Sequence, residues 1–594
     1  MKDIRYIWRG AAFSLALSLM AAGCSMTDDY VCPADEGGTP GSGSAFIQLS
    51  FGMADARGTR ANPDGGEQGN GSEAGQTDEN AVSNAVAFLF DGNVTVNGAA
   101  TTPVTPVYFS TVTPKQTSSA QGVDAVYTTA PVHTTLENGT YNVIVVANPG
   151  DDKWWDQSAN QTLGQVRDHI QKAAWKEGDN GTYSDFLMSL ADEVTQKLVI
   201  KNNPEDDPAT TTVNVERMAA RVDYIDGRQN MECTDPRYQG ATVEITGATI
   251  VNRLTAGSYL LKRVADDVDG RNLEYLGYEL PLGVDAGVQT NYVLDPWTAL
   301  KTQANLAGTP FTVEEQPAAA SDLYDPKTYI PTRSDNPEDW ADYCKAGVDA
   351  TEDDYLRVGY ALENTTGKLE TSLNYNTGIV FKAQFHPEGM TNYTDGQTFF
   401  TYNGEIYPTL TDMMGQLNGQ EYFSTYVGKK IAALKSWDDL KDFAASITND
   451  PTGYSTYLEE YADTHSAEAF NKSNELKWEY YLSYKLGVSE NSQDGPEINQ
   501  NEINTRNVLF KNSGEKLRTY YKGQCYYIWW LRHSNDGDDE KNGVMEYAVV
   551  RNNIYKVSVN SIYSLGGDIP DNEGLDAQVY VNKWSMLPEE TLPM

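Results

Sequence analysis

From Ala45 the chain reads AFIQLSFGM, where Ala45, Ile47, Leu49, Phe51 and Met53 alternate with mostly small or polar residues. That period of two is the mark of a strand with one buried face. Before it, Ser25 to Ser44 is polar and rich in Gly and Pro, which reads as a tether. After it comes ADARGTRANPDGGEQGNGSEAGQTDEN, a loop signal carried by Gly, Asn, Asp and Pro throughout. A strand hung alone between a tether and a loop must pair with a sheet formed elsewhere in the chain, since unpaired backbone donors and acceptors leave it unstable.

Further strand patterns recur at AVSNAVAFLFDGN, TYNVIVVAN, KLVIKN and TTVNVERMAARVDYI, ending near residue 230. Between them Thr162 to Trp175 has helical spacing, with Leu163, Val166, Ile170 and Ala173 or Ala174 on one side. A second run of strands starts at ATVEITGATIV (Ala241 to Val251), passes through YVLDP, DYLRVGYALEN and TGIVFKAQF, and resumes with GQCYYIWWLRH, GVMEYAVVRNNIYKVSVNSIYSL and LDAQVYVNKWSML. Ile431, Leu434, Trp437, Leu440, Ala444 and Ile447 recur at three- and four-residue steps and predict a helical insertion over about 407–487. The pattern predicts a mainly β chain with two β-sandwich domains. The expected boundaries are 1–23 leader, 24–60 tether and first strand, 61–230 N-terminal domain, and 231–594 C-terminal domain, whose last strand is 575–587.

The leader follows a different pattern. Lys2, Arg5 and Arg9 precede an apolar run from Gly10 to Ala22, the length of a signal-peptide core and too short to span a bilayer. The run ends in Ala21-Ala22-Gly23-Cys24, which resembles a bacterial lipobox with Cys24 as the lipidated residue. The alternative is ordinary signal cleavage nearby, with Cys24 a spare thiol. Asp28-Asp29 is similar to the acidic signal that sends Bacteroidales lipoproteins to the cell surface. Acyl chains contribute about 0.8 kcal/mol per buried CH₂, so lipidation predicts an outer-membrane anchor.

Composition narrows the chemistry. Lys and Arg number 44 against 84 Asp and Glu, a net charge of −40, which repels nucleic acid and excludes it as a natural partner. The five His residues, His133, His169, His386, His465 and His533, lack local partners, and no HExxH, GxSxG, P-loop or GxGxxG pattern occurs. The expectation is no enzyme, no cofactor and no metal. Asp266 to Gly270 and Asn535 to Gly543 look like fragments of calcium loops but lack the full ligand spacing, and the second reads better as a hairpin turn. Besides Cys24 the chain has Cys32, Cys233, Cys344 and Cys525, which allow three complete disulfide pairings or stay as buried or free thiols.

Several blocks together resemble the type V pilus fimbrillins of the Bacteroidales, most closely the minor-fimbria class of major subunit. They are ENAVSNAVAFLFDGN, LENGTYNVIVVANP (Leu136 to Pro149), VNVERMAARVDY (Val213 to Tyr224), YALENTTG (Tyr360 to Gly367), the Gly-x-Cys-Tyr-Tyr strand at Gly523 to Tyr527, and VMEYAVVRNNIYKVSVNSI (Val544 to Ile562), in the family's order. The resemblance implies transthyretin-like, Greek-key sandwiches in a subunit that reaches the surface as a lipoprotein, loses its first strand to an Arg-specific protease and polymerises by strand exchange. Arg60-Ala61, in a Thr-Arg-Ala context, looks like the family's cleavage site, with Arg57-Gly58 the second choice.

Burying Ile47, Leu49, Phe51 and Met53 at roughly 1.5–3 kcal/mol each gives about 6–12 kcal/mol of gross stabilisation, and removing them opens a groove that a strand from another copy can enter. The expected donor is Leu575 to Leu587, with Leu575, Ala577, Val579 and Val581 in one phase and Trp584 and Met586 in the other, a shift that suggests a bulge. The alternative is a final strand paired within its own domain. Expected partners are other copies, accessory fimbrial subunits, the protease, the outer membrane and a host or bacterial surface receptor. Two competing readings are a fimbrial tip or accessory adhesin, which accepts a strand without providing one, and a monomeric glycan-binding lipoprotein, which needs a cluster of exposed aromatics.

Overall fold

The computed structural model describes residues 44–53, 68–114, 127–225, 230–265, 292–297, 320–330, 340–349, 354–365, 375–408, 517–533, 546–570 and 575–585, with short breaks inside some of these, and short strand pairs within 274–279 and 488–498. Cys24, Cys32, Arg57, Gly58, Arg60, Ala61, Met586, Asp266 to Gly270, Asn535 to Gly543 and nearly all of the expected helical insertion lie outside the described residues.

The described chain is mainly β. A ten-stranded sheet gathers Ala45–Met53, Ala85–Asp91, Gly139–Ala147, Met188–Leu190, Ala209–Arg217 and shorter strands. A six-stranded sheet runs in the order Gln68–Ala74, Leu575–Ser585, Asn553–Ile562, Ala219–Ile225, Tyr355–Leu362, Val348–Asp349. A four-stranded sheet is built on Thr242–Val251, Gly378–His386 and Gln524–Trp530. One core fills the first sheet, with Phe88, Ile144 and Val213 fully buried. A second core lies where the six- and four-stranded sheets contribute Val222, Tyr555 and Val557 against Phe381 and Tyr527.

Local sequence explains where the expected elements change. The run Thr211 to Ile225 divides at the buried Met218. Residues up to Arg217 pair with Ala45–Met53 and Met188–Leu190, whereas residues 219–225, which the sequence places in the first domain, pair with Tyr355–Leu362 and Asn553–Ile562 in the second sheet. The helix expected from Thr162 to Trp175 is only Leu163–Asp168. Thr162 caps it and accepts from the Gln165 N–H, but His169 is extended and Ile170–Gln171 pairs with Ser258–Tyr259. Apolar spacing alone could not register that sheet pairing. Gln68–Ala74 is a strand where the sequence predicts only loop, because its backbone completes the edge of the six-stranded sheet.

Cys233, Cys344 and Cys525 are buried and not bridged to one another. Each complete pairing with Cys32 would need a bond among these three, so none of the three pairings is present. Burial pushes the Cys525 thiol up to about 12 and, with Asp235 and Glu232, the Cys233 thiol up to about 11.

Candidate functional site

The first strand, Ala45–Met53, lies inside the ten-stranded sheet rather than at its edge. On one side it runs parallel to Ala209–Arg217, from Ile47 opposite Ala209 to Met53 opposite Val215. On the other it is antiparallel to Tyr127–Thr129 and Val132–Thr134. The alternation read from sequence is realised, with Ala45, Ile47, Leu49 and Phe51 at 0–1% exposure and Phe46, Gln48 and Ser50 half-buried. Phe51 stacks on Tyr127 with ring centroids 6.0 Å apart. Polar groups fix the register: the Leu49 N–H donates to Thr129 Oγ1 at 3.0 Å, Gln48 Nε2 to the Thr129 carbonyl at 2.9 Å, and the Phe46 N–H to the Asn203 carbonyl at 2.8 Å. Among described residues no ion pair holds this strand. Taking it away would leave Ala209–Arg217 on one side and the end-to-end strands Tyr127–Thr129 and Val132–Thr134 on the other facing an apolar slot.

The other sequence-predicted strand, Leu575–Ser585, is paired on both sides within its own chain. It is antiparallel to Asn553–Ile562 and parallel to Gln68–Ala74. Leu575, Ala577 and Val579 are buried in the second core with Val581 packed on it, while Trp584 is buried in the first. Pairing with Asn553–Ile562 is continuous through Val581 and Lys583, with its irregularity at Val559/Ser561, whereas pairing with Gln68–Ala74 shifts register between Gln68 and Ser72, opposite Val581 and Lys583. Successive side chains point to opposite faces of a strand, and here both faces meet a core.

Between the cores lies a buried charged cluster that sequence reading missed. Glu73 bonds Arg221 and, at 2.9 Å, Lys556 Nζ. Glu79 bonds Arg221 Nη1 at 3.1 Å and Arg357 Nη1 at 3.2 Å, and accepts from the Tyr360 hydroxyl and, at 2.7 Å, from the Gln76 N–H. Arg221 also forks onto Asp223, with Nη2 at 2.8 Å. Arg217 donates to the Glu79 carbonyl at 3.1 Å and the Trp584 carbonyl at 3.2 Å, and its guanidinium sits 4.4 Å from the centre of the Trp584 ring. Tyr360 stacks on that ring at 5.7 Å and 9°.

Burial acts to raise the Glu79 carboxyl, but Arg221, the Tyr360 and Gln76 hydrogen bonds and Arg217 outweigh it, holding Glu79 below its ordinary value. Burial wins at Asp223, pushed up to about 6 against the pull of Arg221, with Glu73 and Glu79 adding to the rise. Burial likewise lowers Arg217 to about 10. A second buried pair set, Glu363 with Arg551 at 2.8 Å and Glu216 with Lys262 at 2.6 Å, lies beside it. Most of these residues come from the blocks that carry the family resemblance: Glu79 from the first, Glu216, Arg217, Arg221 and Asp223 from another, Tyr360 and Glu363 from a third, Arg551 and Lys556 from a fourth; Glu73, Lys262 and Arg357 lie outside them. The only signal available was the clustering of charges inside apolar strand patterns.

No group of His, Cys, Asp and Glu among the described residues could hold a metal ion. The described histidines have structural neighbours: His169 stacks on Trp154, His533 bonds the Tyr555 hydroxyl at 2.9 Å, His133 bonds Ser44 at 2.8 Å, and His386 bonds Asp395 at 2.6 Å. The exposed large apolar side chains among described residues, Tyr108, Val199, Val348 and Tyr563, are spread over two sheets and the turn after Ile562, and form no aromatic platform of one origin.

Residues 518–590 match the family described as Major fimbrial subunit protein type IV, Fimbrillin, C-terminal, so this stretch is fimbrillin-like. Comparison with curated protein sequences gives no match. Among solved structures, a protein titled a putative cell adhesion protein from Parabacteroides distasonis is 11% identical, with 91% of this chain and 100% of that chain covered and a TM-score of 0.36. A fimbrilin from Porphyromonas gingivalis is 10% identical, with 92% and 99% covered and a TM-score of 0.33. The tip fimbrial protein Mfa3 from the same organism, with C-terminal truncation, is 9% identical, with 91% and 100% covered and a TM-score of 0.28. These structural likenesses are weak.

Proposed function

We propose that the chain is a subunit of a surface fimbria with a role in adhesion. It is exported as a lipoprotein on Cys24, cut by an Arg-specific protease at Arg60-Ala61 or at Arg57-Gly58, and assembled by strand exchange between two sandwich domains of neighbouring copies. The observation that carries this reading is the placement of Ala45–Met53. It is an apolar strand inside a sheet, joined to the rest of the chain through residues 54–67, which contain both arginines. One cut there severs its covalent link while a slot shaped for an extended apolar segment remains, the arrangement that β-strand addition requires. Strand donation from one copy to the next is a head-to-tail contact that does not close, so it yields a filament.

A second reading has its own support. Leu575–Ser585 is already held on both sides within its chain, which suits a tip or accessory subunit that accepts a strand and keeps its own. Electron microscopy of the purified protein before and after limited digestion with an Arg-specific protease, with N-terminal sequencing of the products, tests both. Filaments whose chains begin at Ala61 or Gly58 support the polymerising subunit. Chains in filaments that still begin at Cys24 overturn excision. A cut protein that takes up one partner subunit and stops supports the tip reading.

A further inference from the structure

Residues 68–80 follow the proposed cleavage loop directly, yet their strand joins a different sheet from the strand before it. Gln68–Ala74 is the edge strand of the six-stranded sheet, and its partner there is Leu575–Ser585. Two features concentrate on one side chain of that partner, Trp584, which is 1% exposed, and a charge feature ties the same segment to the rest of the sheet.

The first is close approach. A Cβ placed on Gly75 would lie 2.8 Å from Trp584 Nε1, 2.8 Å from Arg217 Nη2 and 2.5 Å from Asn80 Oδ1. Gly75 is not left-handed, so space rather than backbone conformation demands glycine here. The second is charge. Glu73 and Glu79 bind Lys556, Arg221 and Arg357, which stand on Asn553–Ile562, Ala219–Ile225 and Tyr355–Leu362 beyond the C-terminal strand, and so press residues 68–80 across the sheet. The third is an unmet need: the Trp584 Nε1–H is buried with no hydrogen-bond partner among the described residues. A buried donor left unpaired costs free energy that its exposure to water would recover, so release of this strand would relieve that one cost at Trp584.

We propose that residues 68–80 are a catch on the C-terminal strand. Gly75, Glu73 and Glu79 keep Trp584 in its own subunit, and loosening this segment is what allows Leu575–Ser585 to leave the sheet. The cut that frees the first strand also frees the N-terminal end of the segment leading into the catch, so a single event opens the acceptor slot and unlocks the strand at the other end of the chain. The link to assembly rests on the fimbrial reading above, but the catch itself is measured without any filament.

Hydrogen exchange read by mass spectrometry on the full uncut chain provides the test, with Gly75→Ala, which changes no charge, and Glu73→Gln/Glu79→Gln, which changes no shape. Exchange in 575–585 should rise at least about tenfold in both, with 242–251 and 378–386 at the wild-type rate. The proposal is overturned if 68–80 speeds up while 575–585 does not, since the segment is then a passive cover. It is equally overturned if every strand loosens together in both variants, because a catch must open without the sheets. Should Gly75→Ala alone fail to fold, the carboxylate variant decides by the same comparison. An absence of filaments after proteolysis, with the exchange result intact, would count against the fimbrial reading and not against the catch.

Discussion

Two neighbouring stretches of this chain are fastened by opposite physics. Ala45–Met53 is held by apolar burial and backbone pairing, with no described ion pair. Residues 68–80 are held by two buried carboxylates against three cationic side chains. Apolar burial is non-directional and roughly proportional to area, so a different strand of similar pattern can replace the first one. A buried ion network is specific: taking one member away leaves the others uncompensated, and no generic strand restores them. Under the proposed cut between the two stretches, the first would become exchangeable while the second would keep its own ion partners until the catch loosens.

The largest expected effect tests the specific half of that contrast. Arg221→Met leaves Glu73, Glu79 and Asp223 without their shared partner, and the uncut protein should lose about 3–5 kcal/mol in denaturant unfolding. A loss near that of a surface substitution would mean the cluster is not the fastening. Leu49→Ala, in the apolar half, should cost about 2–5 kcal/mol in the uncut chain. In protein that has lost its first strand, the same change is absent from the folded body, so cut mutant and cut wild type should melt together. If they differ, residues 45–53 remain bound after cutting and the exchangeable half of the comparison fails.

The pH response should separate the halves, and within the charged half Glu79 and Asp223 act with opposite sign. Glu79 sits below its ordinary value when folded, so its contribution is present at neutral pH and is lost as pH falls through the ordinary carboxylate range towards the folded value. Asp223 is raised to about 6, so its contribution is full below its ordinary value and is lost as pH rises through about 6. The anchor should thus be most stable in weakly acidic solution, between those limits, as read by exchange protection of residues 68–80. Asp223→Asn should flatten the limb that runs from the ordinary carboxylate range up to about 6 and leave the acid limb. Protection of 45–53, which is held by no described ion pair, should follow neither limb.

How much of this was legible beforehand depended on which force was at work. The period-two burial of Ile47, Leu49 and Phe51 could be read directly, because apolar alternation is itself the cause of strand burial. Trp584 could be seen to change phase, but the two cores that account for it are assembled from segments far apart in sequence. Glu73, Glu79, Arg221 and Lys556 looked like ordinary surface charges in a chain of net charge −40, since charged residues are almost never fully buried unless paired and pairing is a fact of three dimensions. Ile170 kept helical spacing while joining a sheet, because hydrogen bonding to Ser258–Tyr259 overrides local periodicity.

The smallest effect sharpens the apolar half. Gln48 donates to the Thr129 carbonyl at 2.9 Å from a half-buried position on the face opposite Leu49. Gln48→Ala removes one such bond and no core volume, so unfolding of the uncut chain should shift by only about 0.5–1.5 kcal/mol. Its consequence for exchange is more telling than its size. If the slot selects its occupant by apolar alternation, a synthetic peptide of residues 45–53 with this change should rebind the cut protein nearly as well as the unchanged peptide, while a peptide with Leu49→Ala should rebind far less. Equal loss with both peptides would mean that polar register, and not burial, decides which strand the slot accepts.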